Sequence, residues 1–198
     1  NSAYASIYSI GQNSPRDRIV AMLIDTYISQ PYYSELRANQ QLGYIVSSGA
    51  YSRNNYSGMY CVIQSDGYSA DEVESRSLAF LTESVNNLEL VSEEDFERYK
   101  MAVREKINER STSILKEANK RHRLAFNFDN NRSRDAESLD ELDKITISEI
   151  KEIMARVLGA DTQENITVLL YAEGRPLPEN IKSSFNNLSE WKKAQTYK

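Results

Sequence analysis

Two β-rich runs, residues 42–51 and 57–65, are separated by only five residues, Ser52-Arg53-Asn54-Asn55-Tyr56. A connection that short joins antiparallel neighbours, because a parallel pair needs a crossover of about a dozen residues or more. The middle of the chain is therefore committed to a hairpin, and the remaining segments must build on it. Residues 3–10 alternate with β-rich composition and read as a strand, after which Gly11-Gln12-Asn13 turns the chain. Residues 165–171 supply a last strand.

The intervening segments carry helix signals. Ser14-Pro15 is a helix start, with Ser as cap, Pro in the first turn and Asp17 near the positive end of the dipole. Ile19, Val20, Leu23, Ile24 and Tyr27 follow as an apolar stripe at helical spacing. Pro31 is expected to end that helix, with a short second one over residues 32–39. Ser69 with Glu72 reads as a capping box before Val73, Phe80, Leu81, Val85 and Leu88. Ser92 opens a helix whose stripe is Phe96, Tyr99, Val103 and Ile107, and another helix is expected over residues 113–126. Residues 127–134 are polar and read as a loop. Ser138 with Glu141 and Thr146 with Glu149 are two more capping boxes, the second with Ile145 and Ile150 as a hydrophobic staple, and Gly159 ends the last helix.

Strands and helices are thus segregated. The expected fold is α+β, one mostly antiparallel sheet with helices packed on one face. Residues 1–174 read as a single domain. Residues 175–198 read as a peripheral tail, with Trp191 as an anchor to the body or to a neighbouring domain.

Composition narrows the function classes. Of 198 residues, 40% are hydrophobic and 27% charged, an ordinary globular balance. The net charge is −5 and no long basic block exists, so nucleic acid is not an expected partner. No apolar run reaches the roughly 20 residues of a membrane span. Cys61 is the one cysteine, in Met59-Tyr60-Cys61-Val62-Ile63, and reads as a buried structural thiol. The first residue is Asn1, and the natural N-terminus is expected to lie upstream.

Chemistry is hard to find in these residues. A zinc site needs several converging ligands, and the chain has one histidine, His122, with no His-x-x-Glu-His or His-Glu-x-x-His. His122 lies beside Leu115 and Ala118 at helical spacing and reads as a satisfied structural histidine. No Gly-x-Ser-x-Gly and no phosphate-binding glycine run occurs. Glu93 and Glu94 sit where a helix dipole stabilises them.

One segment stands apart, Gln30 to Val46. By strand alternation Leu42, Tyr44 and Val46 share a face, and Gly43 permits a close backbone approach. Arg37 is a fixed cation with five donors and Tyr44 offers a hydroxyl, parts suited to holding peptide carbonyls. By spacing alone this signal is weak, and a surface ion pair for Arg37 with core or strand filling by Tyr44 is the favoured reading.

Tyr33-Ser34-Glu35-Leu36-Arg37 followed by Gln40-Gln41-Leu42-Gly43-Tyr44-Ile45-Val46 closely resembles the fourth-domain signature of the insulin-degrading-enzyme and pitrilysin family of zinc metallopeptidases. Val62-Ile63-Gln64-Ser65, Glu74-Ser75-Arg76, Ala79-Phe80-Leu81 and Glu93-Glu94-Asp95-Phe96 resemble it in order and spacing, so the resemblance covers residues 3–171. It implies a mitochondrial-processing-peptidase-like fold. It also implies a zinc held by an inverted His-x-x-Glu-His motif in the N-terminal domain of the parent enzyme, with none in this chain. Arg37 and Tyr44 then bind substrate carbonyls near the scissile bond, Tyr44 helps to stabilise the tetrahedral oxyanion, and Tyr33 lines the substrate site. The implied partners are the zinc-bearing N-terminal half and peptide substrates, and the implied location leans to the bacterial periplasm. This chain alone is expected to be inactive. Two other readings compete. A non-catalytic scaffold or partner subunit of the same fold has no need of the Arg37–Tyr44 pair, and an unrelated helix-rich interaction domain leaves the segment unexplained.

Overall fold

The computed structural model describes residues 1–53, 55–128, 130–159, 165–174 and 188–194. Strand β1 (Ser2–Gly11) leads through a left-handed Asn13 into helix α1 (Pro15–Tyr33), which continues into a π-helical turn, Ser34–Asn39. The hairpin β2 (Ile45–Arg53) and β3 (Tyr56–Ser65) comes next. Helices α2 (Ala70–Asn87), α3 (Glu93–Asn108), α4 (Ile114–Asn127), α5 (Arg134–Leu142) and α6 (Ile147–Leu158) precede β4 (Asn165–Leu170), and α7 (Leu188–Ala194) lies in the tail. The rest of the predicted tail lies outside the described residues.

The four strands form one sheet in the order β2-β3-β1-β4 with every neighbouring pair antiparallel. The hairpin register runs unbroken from Ile45↔Gln64 to Arg53↔Tyr56, so the strands extend further into the predicted connection than composition indicated. Helices α1, α2 and α6 pack against the strands. The expected α+β architecture is the one observed.

Alternation along β1 builds the core. Tyr4 and Tyr8 are fully buried, and their hydroxyls satisfy one another at 3.0 Å. The α1 stripe Ile19, Leu23, Ile24 and Ile28 belongs to the same core. Tyr32 bonds Ser77 through its hydroxyl at 2.7 Å and meets Phe80 edge-on at 5.4 Å. Burying such rings contributes about 2–3 kcal/mol each, which explains a first departure from expectation. Pro31 does not end the helix. Its ring is exposed, the helix runs on to Tyr33, and the burial of Tyr32 and Leu36 outweighs the one backbone bond that proline cannot donate.

Three further expectations change. Ser69 stands at the α2 N-cap with extended backbone but makes no side-chain cap bond. A full capping box forms instead at Ser14 and Asp17, where each side chain bonds the other residue's N–H at 3.1 Å. Ser138 is not a cap. Helix α5 begins at Arg134, within the predicted loop, and places Ser138 in its buried interior, where the hydroxyl accepts Arg18 Nε at 3.2 Å. Arg18, only 8% exposed, also donates to the Asn13 and Arg134 carbonyls, tying α1 to α5. The staple holds as expected, with Ile145 and Ile150 both buried beside a Thr146 cap.

Cys61 is buried between the tyrosines, and burial pushes its thiol up to about 12. The folded chain should therefore not react with an aromatic disulfide reagent at pH 8 over hours, while the urea-unfolded chain should release one equivalent within minutes. Stoichiometric reaction in the folded state would contradict this burial.

Candidate substrate-contact site

The site begins where α1 widens. In the π-helical turn the Gln40 N–H reaches back to the Glu35 carbonyl at 2.9 Å. The Leu42 N–H then reaches the Leu36 carbonyl, also at 2.9 Å. Between them Gln41 adopts φ 52°, a left-handed conformation that normally favours glycine or asparagine at a helix end. Leu36 and Leu42 are fully buried, so this strained reversal is pinned at both ends by core side chains. The Glu35 carboxylate clasps the turn, accepting Asn39 Nδ2 at 2.7 Å and Gln40 Nε2 at 3.0 Å. The Gln40 and Asn39 hydrogen bonds hold its carboxyl below the usual range. Their stabilising contribution is thus present at neutral pH and is lost only as pH falls through that depressed value.

Past the reversal, the Tyr44 N–H bonds the Gln64 carbonyl at 3.1 Å. Gly43 makes this possible. A Cβ there would lie 2.1 Å from that oxygen and 2.8 Å from its carbon. The close backbone approach expected at Gly43 is present, and the approaching backbone is β3 of its own sheet.

The alternation argument fails at one position. Leu42 and Val46 are buried, but Tyr44 is 72% exposed. Strand β2 starts only at Ile45, so Tyr44 occupies a bend to which the two-residue period does not apply. Tyr44 is therefore not core filler. Arg37 is partly exposed and its side chain has no hydrogen bond or ion pair among the described residues, so it is not spent in a surface ion pair. Tyr33, one turn upstream, is 49% exposed. The fold thus holds Arg37 within one closed turn and Tyr44 just past it, with Tyr33 at its entrance and their side-chain polar ends without a partner among the described residues.

His122 is elsewhere. It is exposed on α4, its ring tilted against Phe126 at 4.6 Å between centroids, and α4 has no buried side chain at all. The reading as a satisfied structural histidine beside an apolar helix face is thereby corrected. Among the described residues no group of three or more His, Cys, Asp or Glu could hold a metal ion. The chain's one histidine is on this surface helix and its one cysteine is in the core, so the two do not come together as metal ligands. The clasp by Glu35 escaped the sequence reading. Its four-residue spacing from Asn39 was a visible signal, whereas the left-handed Gln41 had none.

The family described as "PQQ synthase PqqF-like, C-terminal lobe domain 4" matches residues 23–122, a span that contains Tyr33, Arg37 and Tyr44. The chain belongs to this family. It is a C-terminal domain of the pitrilysin and insulin-degrading-enzyme type. The insulin-degrading enzyme of Drosophila melanogaster is 25% identical over 187 residues, which are 92% of this chain and 18% of that protein. Among solved structures, pitrilysin superposes with a TM-score of 0.71 at 19% identity, over 85% of this chain and 18% of that one. The inactive peptidase domain of a putative zinc protease from Bordetella parapertussis superposes with a TM-score of 0.66 at 14% identity, over 89% of this chain and 95% of that one. The chain thus spans less than a fifth of the curated relative's length.

Gly43→Ala would drive a methyl group into the Gln64 carbonyl and should cost on the order of 2–4 kcal/mol in urea unfolding. A cost under about 0.5 kcal/mol would show that the turn is not anchored on β3.

Proposed function

We propose that this chain is the zinc-free C-terminal domain of a zinc metalloendopeptidase, contributing substrate-binding and oxyanion-side groups to peptide-bond hydrolysis at a zinc site in another domain. The observation that carries this reading is the closed turn, which displays an arginine and a tyrosine whose side chains have no partner among the described residues, on a support pinned by core side chains. Uncommitted donors on a preorganised frame cost little to align with a substrate. Activation of the attacking water falls to the zinc-bearing domain. Within this chain, the Tyr44 hydroxyl donates to the carbonyl oxygen as it gains charge, the Arg37 guanidinium holds a neighbouring carbonyl, and the Tyr33 ring lines the substrate beside them. Closing the zinc-bearing N-terminal half over this domain would complete the site and exclude water.

The partners are thus that N-terminal half of the same polypeptide and peptide substrates. No helix among the described residues is long and apolar enough to cross a membrane. The proposed location is the bacterial periplasm, following the family resemblance. A second reading, a non-catalytic subunit of the same fold, is favoured by the likeness to a domain described as inactive over nearly its whole length. The two part on whether Arg37 and Tyr44 matter to turnover.

Two substitutions in the parent enzyme test this. Tyr44→Phe should lower kcat by about 10²-fold while KM stays within about twofold, since its bond forms mainly in the transition state. An unchanged kcat with a raised KM would remove Tyr44 from the oxyanion side. Arg37→Ala should raise KM roughly tenfold with no shift in the melting temperature of this domain. A drop of several degrees would mark Arg37 as structural instead.

A further inference from the structure

The Glu35 carboxylate bonds two side chains that an α-helix would not bring to it together. On an α-helix the side chains three and four residues apart are neighbours, so Asn39 falls within reach of Glu35, whereas Gln40, five residues on, lies on another face. In the widened turn Ser34–Asn39 both are reached. One carboxylate oxygen accepts Asn39 Nδ2 at 2.7 Å, the other accepts Gln40 Nε2 at 3.0 Å, and the Glu35 carbonyl takes the Gln40 N–H at 2.9 Å. These three bonds join the start of the turn to its end and enclose Arg37. Glu35 is the carboxylate nearest to Arg37 in the chain, yet the two make no ion pair, as residues two apart on a helix do not face each other. Leu36 and Leu42 already hold the turn in the core, so the clasp on its solvent side is not needed to place it. What the clasp selects is the winding, and single widened turns of this kind recur at functional sites.

We infer that Glu35 is a positioning residue, which by bonding Asn39 and Gln40 keeps the turn in its wide winding and so aims the Arg37 side chain at the substrate. The inference rests on the proposed role of Arg37 in holding a substrate carbonyl. Glu35 itself touches no substrate. Its effect passes through the backbone between residues 35 and 40. If the clasp opens, the turn is free to rewind with ordinary α-helical bonds, and rewinding turns every side chain within it, Arg37 included, about the helix axis. Arg37 has no side-chain bond among the described residues to resist that rotation. A binding group displaced by about 1 Å forfeits much of its benefit, so a clasp that adds little to stability is decisive for alignment.

The test is a double-mutant cycle in the parent enzyme, read by peptide hydrolysis and by amide hydrogen exchange over residues 35–42, which reports the turn independently of activity. Glu35→Ala should raise KM about three- to tenfold with kcat within about twofold, and should speed exchange of the Gln40 and Leu42 N–H groups about tenfold. In the Arg37→Ala background the same substitution should add less than about twofold to KM, because the residue through which it acts is gone. Glu35→Gln keeps a carbonyl oxygen for Asn39, and its amide can pair with a reversed Gln40 amide, so it should return KM to within about twofold of the unsubstituted enzyme. If Arg37→Ala raises KM but Glu35→Ala does not, or if the two effects multiply in the double variant, Glu35 does not act through Arg37 and the inference is overturned. Glu35→Gln as poor as Glu35→Ala would overturn it in favour of a direct effect of the charge. An unchanged KM in Arg37→Ala is a separate result, which would remove the substrate role of Arg37 and this inference with it.

Discussion

The contact between Gly43 and the Gln64 carbonyl is the constraint on which the site depends. With no side chain at Gly43, the backbone entering β2 lies directly against β3, and Tyr44 bonds there before the strand proper begins. That places the tyrosine in a bend and turns it outward, although strand alternation would have buried it. The same entry fixes Leu42 in the core, and Leu42 closes the π-helical turn by bonding Leu36. Arg37 lies inside this closed loop. Its position is therefore inherited from a sheet contact made beyond it in the chain, and no side-chain bond among the described residues holds it.

Local signals were legible in the sequence because they are local. A five-residue polar gap compels a hairpin, Ser92 and Thr146 announce helix starts, and Ile145 with Ile150 announces a staple, and each holds in the structure. What failed depended on distant partners. Ser138 has the same neighbours as a helix cap, but its hydroxyl is taken by Arg18, 120 residues away. Pro31 has the local signature of a helix end, but Tyr32 finds Ser77 and Phe80 on α2, and that packing carries the helix through. The π-helical turn has no residue pattern of its own. For the site, the residues are named by resemblance, while the lack of side-chain partners for Arg37 and Tyr44 among the described residues comes only from the folded arrangement.

The two faces of the sheet divide the domain's work. One face, with its tyrosines and hydroxyls, is closed by α1, α2 and α6 and supplies stability within the chain. The other exposes Ile7, Ile45, Ile166, Val168 and Leu170, while the side chains of Arg37 and Tyr44 have no partner among the described residues at the entry to β2. Both features are accounted for if it functions inside a larger molecule, which agrees with its small share of the relatives' length.

The central claim is that this chain completes a site whose metal lies elsewhere. Cleavage of a quenched fluorescent peptide by the parent, by the parent after zinc chelation, and by this chain alone tests it most directly. The account predicts cleavage by the untreated parent and by neither of the others. Cleavage that survives in the chelated parent and in the isolated chain would contradict it, and would return the chemistry to His122 and the serines of this chain.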